Sequence, residues 1–137
     1  MTFVLDNSIT MVWFMPDEAS ESARALLHRT ATRGAVVPTL WPIEIGNTLT
    51  IAVRRRRISL IQRTQALELL SGLPIEVDAE TQRRAWGDTL ALADRFRLSF
   101  YDACYLELAV RLHLPLASLD NELRTASEGL GLELLGM

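Results

Sequence analysis

Short apolar runs and longer segments of helical period alternate along the chain. Phe3-Val4-Leu5, Ala35-Val36-Val37, Ile75-Glu76-Val77 and Leu116-Ala117-Ser118-Leu119 are brief, apolar and bounded by Gly, Pro or Asp, the signature of strands. Between them the apolar period lengthens. Ile9 to Met15 predicts a short helix stopped by Pro16, and Asp17 is placed to cap a helix running to about Arg33, with Ala23, Leu26 and Leu27 inward and Gly34 as its stop. Pro42 suits the first turn of a helix over about Trp41–Arg56. Ser59 is a plausible cap for the next, through Leu60, Leu67 and Leu70 to Gly72. Asp78 is placed to cap a long helix from Ala79 to about Phe96, carrying Ala85, Leu92 and Ala93 inward. A strongly amphipathic helix is expected from about Tyr101 to Leu112, and a last one over Asn121–Glu128, before the apolar run Leu132–Leu135. Strands alternating with helices predict an α/β fold, a parallel sheet with helices on both faces.

This order places four acidic residues alike. Asp6 and Asp120 follow apolar strands, while Glu44 and Asp102 open helices. All are expected at the carboxyl edge of the sheet, where α/β folds bind ligands. Each also has a purely structural role open to it: Asp6 and Asp120 as helix caps, Glu44 as a complement to the helix dipole, and Asp102 within a capping box begun by Ser99. Together they mean more, because like charges held close repel and raise one another's pKa. A compensating cation is then expected, and carboxylates favour the hard ions Mg²⁺ or Mn²⁺. Such an ion assists phosphoryl chemistry. Ser8 is expected beside Asp6, Ser118 beside Asp120, and Asn47 shares the helix face of Glu44.

Composition narrows the chemistry. At 137 residues, 49% apolar and 23% charged, one globular domain spanning residues 1–137 is expected. The single cysteine, Cys104, excludes an intrachain disulfide and a cysteine-rich zinc site, and its place on an apolar stripe predicts a buried small residue. All 14 basic residues are arginine, which excludes a Walker A lysine and Schiff-base chemistry. The formal charge is −3, against a broadly basic nucleic-acid surface, but setting aside the four site carboxylates leaves +1, so an RNA substrate is compatible with it. No secretory leader and no membrane segment are expected, which makes a cytoplasmic location the default. His28, His113 and the Arg54–Arg57 run are read as structural, the last as a solvated helix end or a phosphate-contacting rim. Trp13, Trp41 and Trp86 are expected in core or interface packing.

Four stretches in this order resemble PIN-domain ribonucleases: Leu5-Asp6-Asn7-Ser8; Glu44 with Asn47 after Pro38-Thr39-Leu40-Trp41-Pro42; Tyr101-Asp102-Ala103-Cys104-Tyr105-Leu106-Glu107-Leu108-Ala109; and Leu116-Ala117-Ser118-Leu119-Asp120-Asn121-Glu122-Leu123. The chain is similar to the small VapC-type toxins of bacterial toxin–antitoxin pairs. The resemblance implies a five-stranded parallel sheet of order 3-2-1-4-5 and a Mg²⁺- or Mn²⁺-dependent endoribonuclease acting on cellular RNA. It implies Asp6, Glu44, Asp102 and Asp120 as the catalytic and metal-holding set, with Ser8, Asn47 and Ser118 in support. Ser118 stands where the family often has threonine. A homodimer and a cognate antitoxin are also implied. Competing readings are another metal-dependent α/β phosphoesterase and a non-catalytic binding module.

Overall fold

A computed structural model describes residues 2–137. The elements are β1 (Val4–Leu5), α1 (Asn7–Val12), α2 (Glu21–Arg33), β2 (Ala35–Val37), α3 (Trp41–Arg54), α4 (Leu60–Ser71) and β3 (Ile75–Val77), then α5 (Thr81–Arg84), a π-helical turn (Ala85–Thr89), α6 (Leu90–Phe96), α7 (Phe100–Leu112), β4 (Leu116–Ala117), α8 (Asn121–Gly129) and β5 (Leu134–Leu135). The five strands form one parallel sheet in the order β3-β2-β1-β4-β5. Val4 pairs with Val36 on one side and with Leu116 on the other. The chain therefore leaves β1 toward β2 and later returns to its other side as β4, so the strand order reverses across β1 and β4. That reversal opens a crevice at the carboxyl ends of the two strands, and Asp6 and Ser118 directly follow those ends.

The sheet is central because its middle strands are apolar on both faces. Phe3, Val4, Leu5, Leu116 and Ala117 are fully buried, as expected of strands covered by helices on both sides. Helix α7 was predicted to be amphipathic. Instead, every residue from Ala103 to Ala109 is buried, Glu107 included, because α7 packs on β1 and β4 and is itself covered by the π-helical turn, α6 and α8. A helix enclosed on all sides has no need of a polar stripe.

Several helix starts differ from the sequence expectation. Ser20, not Asp17, caps α2 by accepting the Ala23 N–H; Asp17 and Glu18 instead meet the Arg57 guanidinium. The expected long helix over 79–96 begins at Thr81 and is interrupted by the π-helical turn. Its extra residue shifts the helical phase, so Thr89 is buried while Ala85, Leu92 and Ala93 are only half-buried. Trp86, in that turn, is 89% exposed, so it has no core role; Trp41 is buried and Trp13 packs against the core. In α4 only Ala66 and Leu70 are buried, and Leu60 and Leu67 face solvent. Gly34 does end α2, at φ +79°, and a Cβ there would stand 2.8 Å from the Pro74 carbonyl oxygen. Both the backbone and the β2–β3 approach therefore require glycine.

A charge network fastens the far end of α7 to the end of β3. Arg111 bonds both Asp78 carboxylate oxygens and both Glu107 oxygens, with its shortest contact, to Asp78, at 2.6 Å. Asp78 was read as a helix cap. Its carboxylate accepts the Thr81 hydroxyl, but its main partner is Arg111. Burial raises the Asp78 carboxyl, yet the bonds from Arg111 and Thr81 outweigh it and hold it below the usual carboxylate range.

Candidate functional site

Asp6 is the first residue beyond β1 and 5% exposed. It occupies the N-cap position of α1, but its side chain makes no capping bond. The carboxylate turns to two hydroxyls instead. Ser8 Oγ and Ser118 Oγ each donate to Asp6 Oδ2, both at 2.7 Å. Each hydroxyl in turn accepts a backbone N–H from the loop after β4: Leu119 N–H on Ser8 at 2.9 Å and Asp120 N–H on Ser118 at 3.0 Å. The two serines thus join the β1 and β4 edges through one carboxylate oxygen. Ser118 was expected to serve Asp120, and its oxygen does accept the Asp120 amide, but its proton goes to Asp6.

Glu44 lies in the first turn of α3, half-buried, and its Oε1 accepts the Tyr105 hydroxyl at 2.5 Å. Its backbone carbonyl accepts Thr48 Oγ1 at 2.9 Å, and that oxygen takes a bond from Asn7 Nδ2 at 3.2 Å. Asp102 is in the first turn of α7, where Ser99 Oγ accepts its N–H at 3.1 Å. Helix α7 follows α6 rather than a strand, so the βα-connection rule does not account for the position of Asp102. The packing of α7 on β1 does. Asp120 caps α8, with Oδ1 accepting the Leu123 N–H at 2.9 Å.

The four carboxylates influence one another electrostatically. Asp6 is raised chiefly by burial and further by the charge of Asp120, against the bonds from Ser8 and Ser118. Burial likewise raises Glu44, with Asp6 and Asp102 adding to it against the Tyr105 bond. Asp102 is pushed up to about 6, first by burial and then by Asp120 and Asp6. Among the described residues none of the four pairs with an arginine. The cluster is therefore a destabilising concentration of negative charge without an ion-pair partner among the described residues.

The donor set is all oxygen and suits a hard divalent ion. Among the described residues no three His, Cys, Asp or Glu side chains are grouped so that they could hold a metal ion by themselves. An ion that keeps several of its waters, as Mg²⁺ does, would complete its shell with them. The buried Cys104 thiol is pushed up to about 11, mainly by burial, and Ser8 is committed to Asp6.

Asn47 is exposed and, among the described residues, makes no side-chain hydrogen bond. Thr48 and Asn7 make the polar contacts expected of it. The residue missed from sequence is Tyr105, which entered only as part of the stretch Tyr101–Ala109 and was given no role. A buried tyrosine hydroxyl requires a polar partner, and four acidic residues with one of them to be found nearby was the available signal.

The fold can be set beside known proteins. No curated protein matches the chain. Among solved structures, the crystal structure of PAE2754 from Pyrobaculum aerophilum superposes with a TM-score of 0.70 at 21% identity, covering 94% of this chain and 87% of that one. That likeness concerns the fold. The model of the PIN domain family matches residues 3–129, a span that takes in both strands of the crevice and all four carboxylates, and by that match the chain belongs to the PIN domain family.

Proposed function

We propose that this chain is a metal-dependent endoribonuclease of the VapC-type toxin class. PIN domains are generally metal-dependent nucleases, and the observation that supports a metal-dependent activity here is the cluster itself: Asp6, Glu44 and Asp102 raised by burial and mutual repulsion, with no arginine paired to them among the described residues. The toxin class rests on the resemblance of the four sequence stretches. Asp6, Asp102 and Asp120 would hold Mg²⁺ or Mn²⁺. Bound there, the ion supplies polarisation of a phosphoryl oxygen and a lowered pKa for attacking water. Glu44 is the fourth ligand or the group that orients the water and holds its proton. Ser8 and Ser118 keep Asp6 oriented, and Asn47, exposed one turn beyond Glu44, is available to contact RNA.

The substrate in this reading is cellular RNA, whose phosphates the uncompensated carboxylates would meet through the cation. A cognate antitoxin and a homodimer complete the proposal. The test is induced expression of the wild type and Asp6→Asn, followed by mapping of new RNA 5′ ends. Growth arrest and new ends are expected from the wild type alone. Equal cleavage by a folded Asp6→Asn protein would overturn the mechanism.

A further inference from the structure

Tyr105 is 1% exposed, on the fully enclosed face of α7, yet its hydroxyl reaches the carboxylate of Glu44 on α3. A buried phenol spends one donor, and here that donor goes to Oε1 alone. Glu44 is also fixed from its backbone side by Thr48, which Asn7 holds in turn. Asn7 is the neighbour of Asp6, so the polar chain runs from the β1 edge through Thr48 to Glu44. Removing the Tyr105 hydroxyl would leave the Glu44 backbone anchored and its carboxylate free to rotate.

We propose that Tyr105 is a positioning residue that occupies Glu44 Oε1 and so presents Oε2 in one orientation to the cation and water of the site. The inference rests on the reading of Glu44 as part of a metal site. The phenol is suited to the task because the buried ring fixes the direction from which its hydroxyl reaches Glu44. Outer partners of this kind typically change metal affinity or activity by about 10- to 100-fold when removed.

The experiment is a double-mutant cycle over Tyr105→Phe and Glu44→Ala, read as Mn²⁺ affinity by calorimetry and as single-turnover cleavage of RNA. Tyr105→Phe keeps the ring that fills the core, and thermal melting verifies folding. Tyr105→Phe is expected to lower Mn²⁺ affinity or the single-turnover rate by about tenfold or more, with RNA KM unchanged. In the Glu44→Ala background the same substitution is expected to change neither. A folded Tyr105→Phe protein with wild-type Mn²⁺ affinity and rate overturns the proposal, as does an equal loss in both backgrounds, which marks a general packing effect. If the wild type binds Mn²⁺ but cuts no RNA, the ribonuclease reading fails while the calorimetric cycle still decides the role of Tyr105. If the wild type binds no Mn²⁺, both fall.

Discussion

Replacing Ser118 by alanine should destabilise this protein measurably. Ser118 is fully buried, donates to Asp6 Oδ2 at 2.7 Å and accepts the Asp120 N–H at 3.0 Å. A hydrogen bond to a charged group contributes about 1.5–3 kcal/mol. Alanine fills the site without a donor, so Asp6 keeps only Ser8 on that oxygen. Unfolding entropy of about 2.1 cal/mol/K per residue over 137 residues gives about 0.3 kcal/mol/K, so the melting temperature should fall by roughly 5–10 °C. The loss has a predicted pH dependence. The Ser118 bond favours ionised Asp6, so removing it raises a folded-state pKa already above the ordinary value of 3.8. The native variant then holds its proton to higher pH than the unfolded chain does, and its stability falls more steeply as pH rises. The penalty should be smallest near pH 4 and grow as Asp6 ionises. Thermal denaturation of wild type and Ser118→Ala in EDTA between pH 4 and 8 measures this. A penalty under about 0.5 kcal/mol at pH 8, or one independent of pH, would refute the reasoning.

Arg111→Met should destabilise by about 3–5 kcal/mol, because it strands Asp78 and the 95%-buried side chain of Glu107 without their cation; chemical denaturation gives the value. Since the Asp78 carboxyl is held below its ordinary 3.8, its share of that stability is present above pH 4 and is lost as pH falls through the lowered value. Mg²⁺ should raise the melting temperature of the wild type by mass action. The rise should shrink below pH 6, where protons compete for Asp102, whose carboxyl sits at about 6; a rise equal at pH 5 and pH 8 would separate cation binding from Asp102.

The sheet was readable because its strands are short and bounded by Gly, Pro or a polar residue. Phe3-Val4-Leu5 followed by Asp6, and Leu116-Ala117 followed by Ser118, place the crevice directly. Helix interiors were less legible. The π-helical turn at Ala85–Thr89 inserts one residue into a period that a sequence pattern treats as constant, so the fully buried position is Thr89, Leu92 packs only partly against the core, and Trp86 lies outside the core. Amphipathic reasoning also failed for α7, because burial on every side erases the stripe it looks for. The acidic set could be gathered from topology, but its wiring could not. Ser118 on Asp6, and Tyr105 on Glu44, join residues 112 and 61 positions apart, and only folding supplies those pairings. Asn47 shows the converse: helical spacing put it near Glu44, yet neighbouring Thr48 makes the contact.

Whether the acidic crevice holds a cation is decided most directly by soaking or co-crystallising the protein with Mn²⁺ and measuring anomalous scattering at the manganese edge. The expected result is a peak among Asp6, Asp102 and Asp120 that is lost in Asp6→Asn. An ordered site without a peak at saturating Mn²⁺, or a peak unaffected by Asp6→Asn, would contradict the assignment.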